Sequence, residues 1–155
     1  MKAFGIVNYT VEDVFNIFVK NAKKDFSDFN EEDAIGCKIE KNIASGGKKK
    51  IKCTIQITEY VKNEKYQITT STERTTCTST YTFNGQNDGT TKLMFEEIQG
   101  GQGFLAYMLL SFERFLNKRQ FNAKYRSLIE SLNNELRTQF NNIQRSKPKD
   151  NALTD

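Results

Sequence analysis

Arg74, Lys41 and Glu97 are charged residues on strand-like segments, and side-chain alternation puts all three at one end of the same sheet face. That face also carries the hydroxyls of Thr70, Thr72, Ser79 and Tyr81 among aliphatic and aromatic positions. Such a set suits recognition. Arg74 and Lys41 would meet an acidic head group, Glu97 would balance them, and apolar walls would hold the rest of a small molecule. A purely structural reading fits the same residues: a salt bridge closing the end of the sheet, with Arg74 solvated in a turn. Hydroxyls on a face that should be core either bond one another or line wet space. The two readings part on whether a cavity lies there.

Other chemistry is narrowed by what the chain lacks. None of its 155 residues is histidine, which removes Ser-His-Asp and Cys-His catalysis, ordinary His-based metal sites and the commonest general base at neutral pH. The three cysteines have no close pairing and make no disulfide framework, so a reducing cytoplasm is expected. Cys53 and Cys77, with one strand between them, would hold their α-carbons about 9–10 Å apart, too far for a bridge. They read as small buried hydrophobes rather than metal ligands. No cofactor and no metal is expected. Lys48-Lys49-Lys50 reads as a solvated hairpin tip, and Gly100-Gly101-Gln102-Gly103 as a flexible entry to a helix, since no phosphate-loop Lys-Ser/Thr follows it.

The elements that must position these residues follow from periodicity. Lys2 to Tyr9 alternate weakly as a first strand. Thr10 and Asp13 resemble a capping box, with Val11, Val14, Phe15, Phe18 and Val19 at helical spacing behind them. Asn30-Glu31-Glu32-Asp33 predicts a short capped turn of helix that Gly36 ends. From Cys37 to Ile98 the pattern is an unbroken run of antiparallel hairpins. Ile51, Cys53, Ile55 and Ile57 share one face with Tyr66, Ile68, Thr70 and Thr72, and with Cys77, Ser79, Tyr81 and Phe83; Leu93 and Phe95 close it. The opposite face is rich in threonine, as a solvated sheet face should be. Turns are expected at Ser45-Gly46-Gly47, 62–65, 73–76 and 84–89. Cross-strand rows then read Ile39, Ile55, Thr72, Ser79, Phe95; then Cys37, Ile57, Thr70, Tyr81, Leu93; then Lys41, Cys53, Arg74, Cys77, Glu97. The 73–76 turn has no Gly or Pro, which leaves these rows free to slip by a residue pair.

A long C-terminal helix completes the order. Phe121, Tyr125, Leu128, Ile129, Leu132, Leu136 and Phe140 form one core-facing stripe. From Phe104 to Leu116 apolar residues go nearly all round, which fits burial on several sides, a movable lid or a homodimer patch. The chain suits a single domain over 1–140 with a flexible polar tail over 141–155. At 37% hydrophobic content, its core must come chiefly from 12 Phe and 6 Tyr. A net charge of +4 is mild and no nucleic-acid footprint. The longest apolar block, Phe104 to Leu110, is far short of the ~20 residues that span a bilayer.

With these residues read, the chain resembles the helix-grip superfamily of START and Bet v 1-like (SRPBCC) domains over roughly residues 1–140. Their order is strand, two helices, six strands and a long helix. Within it, Thr-Tyr-Thr-Phe at 80–83, Met-Phe-Glu-Glu at 94–97 and the aromatic, Lys/Arg-laden helix around Ser111-Phe112 are similar to a domain-of-unknown-function family of low-GC Gram-positive bacteria. The resemblance implies an α+β fold: a curved antiparallel sheet of about seven strands on a long C-terminal helix, with two short helices after strand 1. It also implies an internal hydrophobic cavity, and it supplies no catalytic residue.

The expected function is therefore binding, by a cytoplasmic carrier or sensor for a small, partly apolar and in part acidic ligand. Ile39, Ile55, Thr70, Thr72, Arg74, Ser79, Tyr81, Phe95 and Glu97 would line the cavity, with Tyr125 and Leu128 facing them from the helix. One alternative is a cyclase- or hydrolase-like enzyme of the same fold, in which Glu97, Tyr81 or Arg74 polarises a substrate. Another is an interaction module contacting RNA or an acidic partner through Arg114, Lys118, Arg119, Lys124 and Arg126. Those charges are spread around the helix without aromatic interleaving, so nucleic acid is not the expected partner. A homodimer would pair through the 104–116 segment.

Overall fold

The computed structural model describes residues 1–45, 49–73, 75–101 and 104–146, with side chains described for these except 43–45, 49–50, 101, 104–120, 124 and 144–146. Strand β1 (Lys2–Val7) is followed by helix α1 (Val11–Asp25) and a single 3₁₀ turn (Glu31–Asp33). Strands β2 (Lys38–Ser45), β3 (Lys49–Val61), β4 (Lys65–Ser71), β5 (Thr75–Gly85) and β6 (Thr91–Gly101) then lead into helix α2 (Phe104–Ser146). All strands pair antiparallel in one sheet of order β1-β6-β5-β4-β3-β2. The architecture is α+β, as the periodicity predicts. The described sheet has six strands rather than the about seven that the resemblance implies, and these match the six segments that alternate in the sequence; β3 runs through a bulge as one strand of 13 residues.

Local chemistry sets the boundaries. Thr10 Oγ1 accepts from the Asp13 amide at 3.3 Å and donates to Asp13 Oδ2 at 2.7 Å, which starts α1. Asn30 caps the 3₁₀ turn through the Glu32 amide at 3.2 Å. Asn63, at φ 61°, supplies the left-handed residue that the β3–β4 turn needs. On the outer face, Thr58, Thr69 and Thr78 join hydroxyl to hydroxyl at 3.2 and 3.1 Å, and Gln67 Nε2 donates to Thr80 Oγ1 at 2.9 Å.

Face assignment from alternation agrees with the structure, but the rows differ. Lys41 lies opposite Cys53 and Ile39 opposite Ile55, as expected. Ile55 then meets Thr70, and Cys77 rather than Tyr81 faces Thr70; Ile68 pairs with Ser79 and Tyr66 with Tyr81. Tyr81 pairs with Phe95, Ser79 with Glu97 and Cys77 with Gln99. The turn positions explain the slip. The Thr72 amide donates to the Thr75 carbonyl at 2.8 Å, which centres that hairpin two residues earlier than the expected rows require, and the Gln86 amide to the Thr90 carbonyl at 2.8 Å centres the next one a residue later. A further difference is the bulge between Ile57 and Glu59. The extra residue there resets the alternation, so Tyr60 joins Tyr66 on the inner face.

The core lies between that face and the two helices. Phe15 of α1 meets Phe83 and Tyr60 edge-on at ring separations of 5.1 and 5.5 Å, and Phe18 meets Phe83, Tyr81 and Tyr66 at 4.9, 5.0 and 5.9 Å. Helix α2 crosses the other half. Phe121 and Tyr125 stack on Phe95 at 5.3 and 6.1 Å, and Leu132 and Leu136 are buried. The helix continues past residue 140: Phe140 stacks on Tyr9 at 5.3 Å, and the last helical residue is Ser146.

Gly5 on β1 lies close under α2. A Cβ there would lie 3.1 Å from Ile129 Cγ1 and 3.4 Å from Tyr125 Cε1. Gly5→Val is expected to lift α2 from the sheet and to cost about 2 kcal/mol, as overpacking does. Urea unfolding measures this, and an unchanged midpoint would show that the helix is not held so close.

Candidate functional site

The inner face of the sheet is lined with rings, and two clefts open where the rings stop. One, of about 240 Å³, lies between α1 and strands β2 to β5. Phe18, Asn21 and Asp25 of α1 form one wall, and Ile39, Ile55, Ile68, Tyr66 and Tyr81 form the other. Lys41 stands at its rim, 4.0 Å from Asp25 and half exposed, so this pair contributes little stability. The second cleft, of about 270 Å³, lies under α2 between Tyr81, Phe95, Tyr125, Leu128 and the hydroxyls of Ser127 and Ser131. Tyr81 is common to both.

Strand register puts Tyr81 there. It sits opposite Tyr66 on one side and Phe95 on the other, with its ring stacked on Phe95 at 4.9 Å. Burial, then the charge of nearby Glu97, pushes its phenol up to about 12, so it is a hydrogen-bond donor at neutral pH and not a base. Burial likewise raises Tyr66, above all the others. Among the described residues, none hydrogen-bonds either hydroxyl. Tyr125 differs. It is raised to about 12 by burial, and its hydroxyl donates to the Leu93 carbonyl at 2.6 Å, which fastens α2 to the sheet. Tyr60 is also raised to about 12 by burial and by Glu31, to whose Oε2 it donates at 3.4 Å. Lys23 and Lys62 hold Glu31 below the usual carboxylate range, although burial opposes them.

The expected site residues are thus divided. Ile39, Ile55 and Tyr81 stand together in the first cleft, and Tyr81, Phe95, Tyr125 and Leu128 in the second. Thr70, Ser79 and Glu97 share the inner face but line neither cleft, and Thr72 sits in the β4–β5 turn, its amide bonded to Thr75. Glu97 is buried, accepting from Gln99 Nε2 at 3.0 Å, and lies across from Ser79 rather than Cys77. Lys41 does not join it: the partner of Lys41 is Asp25. Arg74, residues 46–48 and 102–103, the side chains of 104–120 and Lys124, and residues 147–155 lie outside the described residues. Sequence reasoning missed α1 as a cleft wall. Phe18, Asn21, Ala22 and Asp25 recur at helical spacing, and that was the available signal; Phe18 reads equally well as simple core. Among the described residues, no three His, Cys, Asp or Glu side chains converge as metal ligands, and no helix is long and apolar enough to cross a membrane.

A curved antiparallel sheet closed by a long C-terminal helix, with α1 set between, is a helix-grip fold. TTHA0849 from Thermus thermophilus is similar, with a TM-score of 0.61 at 12% identity, over 90% of this chain and 97% of that one. Ara h 8.0201 matches with a TM-score of 0.60 at 9% identity, over 89% and 97%. SA2116 from Staphylococcus aureus, a protein of unknown function, matches with 0.57 at 11% identity, over 91% and 96%. These likenesses show the fold alone. The chain belongs to the domain-of-unknown-function family DUF3284, whose profile matches residues 1–118. No curated protein matches it.

Proposed function

We propose that this chain is a cytoplasmic carrier or sensor that binds a small, partly apolar ligand between the sheet and its two helices. The observation that carries the reading is the pair of clefts meeting at Tyr81, the first lined by Tyr66 and Tyr81 and the second by Tyr81, whose hydroxyls are donors that no described residue uses. Apolar walls from Phe18, Ile39, Ile55 and Ile68 favour a ring or short hydrocarbon, and Lys41 at the rim favours an acidic group on it. Three cysteines that form no disulfide suit a reducing compartment. The segment 104–116 serves this reading as a lid, or as a homodimer patch.

Native mass spectrometry of freshly purified protein tests it directly. The expected result is a bound small molecule released on denaturation, or binding of 8-anilinonaphthalene-1-sulfonate, an aromatic acid of suitable size, by the emptied protein. Ile39→Trp fills the first cleft and should weaken the dye about tenfold or more without lowering the unfolding midpoint. If there is no retained molecule and the dye binding is indifferent to this substitution, the carrier reading is wrong.

A further inference from the structure

The sheet ends on one side at β1, and the backbone there is left unmatched in a regular way. The Glu97 amide donates to the Met1 carbonyl at 2.8 Å, and the Met1 amino group donates to the Glu97 carbonyl. Antiparallel ladders alternate, so Ala3, Gly5 and Val7 also direct their N–H and C=O groups to β6. Lys2, Phe4 and Ile6 turn theirs toward the open edge, where no described residue takes them. Their side chains stand on the outer face, with Phe4 70% and Ile6 47% exposed.

Edges of this kind are usually guarded by charge, proline or a bulge. The far edge of the same sheet obeys that rule. β2 carries exposed Lys38, Glu40 and Lys41, with Glu40 ion-paired to Lys52 at 2.9 Å. β1 carries charge only at its start, where Lys2 is ion-paired to Glu96 at 3.2 Å; beyond it the strand keeps an unbroken register to Val7 opposite Thr91 and exposes Phe4, with Lys92 5.0 Å over its ring, and Ile6.

We propose that β1 pairs antiparallel with β1 of a second copy, with Phe4 opposite Phe4. In that register Lys2 faces Ile6 and Ala3 faces Gly5. Every outward N–H and C=O of Lys2, Phe4 and Ile6 is then used, two bonds at each hydrogen-bonded pair. Centring the pair on Lys2 or Ile6 instead leaves part of the edge unmatched. On the outer face the two Phe4 rings meet, and each Ile6 lies along the stem of the other copy's Lys2.

The inner face allows the same pairing. α2 lies over the boundary between β1 and β6, with Tyr125 and Ile129 against Gly5 and Phe121 on Phe95. A two-fold axis between the two β1 strands therefore puts the α2 axes about two strand spacings, or ~10 Å, apart, which is the separation of packed helices. The groove of about 470 Å³ between β1 and α2, walled by Asn122, Arg126 and Glu130, is where the second helix would settle.

Sedimentation equilibrium on the full chain tests the proposal, together with hydrogen exchange. The expected result is a monomer–dimer equilibrium in which the Phe4 amide becomes protected as concentration rises. Phe4→Pro removes the outward N–H but none of the bonds to β6, so it should give a folded monomer. Ile6→Lys sets like charges across the new pair and should weaken the dimer about tenfold, whereas Ile6→Glu, facing Lys2 of the partner subunit, should strengthen it. Leu109→Ser with Phe112→Gln should leave this dimer intact. A strict monomer at all concentrations overturns the proposal, as does a dimer indifferent to Phe4→Pro. Circular dichroism of each variant confirms that folding is retained.

Discussion

Phe95→Ala is expected to lower the free energy of unfolding by about 3–5 kcal/mol, the range for a buried ring removed from a core that cannot collapse onto the gap. Phe95 is 2% exposed. It lies against three other rings, Tyr81 at 4.9 Å, Phe121 at 5.3 Å and Tyr125 at 6.1 Å. It therefore joins the sheet to α2 at the point where the second cleft begins. The space left behind should run into that cleft, so dye binding should rise even as stability falls. Urea unfolding gives the first quantity and fluorescence titration the second. A loss below about 1 kcal/mol would mean that α2 is held chiefly elsewhere.

The second large effect is alkaline. The phenols of Tyr60, Tyr81 and Tyr125 are pushed up to about 12 and that of Tyr66 further, in each case chiefly by burial. An unfolded tyrosine ionises near pH 10. Above that pH the unfolded chain holds fewer protons than the folded one, so stability falls as pH rises. The contribution is whole below pH 10 and lost on the way to 12. For the well-buried Tyr81 alone the loss is about 1 kcal/mol by pH 11. Absorbance of tyrosinate near 295 nm should show two populations, with the late one coincident with unfolding, and Tyr81→Phe should remove one late proton. A single phase near pH 10 with the fold intact would refute this account.

Which face each strand residue takes was legible in the sequence, because alternation of Ile, Tyr and Phe against Thr leaves little choice of which side is buried. The caps at Thr10 and Asn30 were legible for the same local reason. The rows were not. Thr72 and Thr75 close their hairpin through a backbone bond and a hydroxyl pair at 2.9 Å, with neither Gly nor Pro to mark the place. Nor does anything in Ile57-Thr58-Glu59 announce the bulge that turns Tyr60 inward. The site suffered accordingly. Ile39, Ile55, Tyr81 and Phe95 reach the clefts on parity alone, while the Lys41–Glu97 contact depended on register and is not made. α1 was legible as a helix and invisible as a wall, since the same spacing serves a core stripe and a cleft lining.

Helix α2 follows every strand in the chain and is also the element that covers Leu93 and Phe95, and this gives the fold a history during synthesis. At 5–20 residues per second, the 43 residues of α2 take roughly 2 to 9 seconds to make. Phe15 and Phe18 of α1, which cover the part of the face around Tyr60, Tyr66 and Phe83 in the fold, are made before that interval begins. The part around Leu93 and Phe95 has no cover until Phe121 and Tyr125 arrive. A nascent chain at this stage has made the cover for one half of its face and not for the other, so slower synthesis of α2 is expected to lengthen its exposure to misassembly.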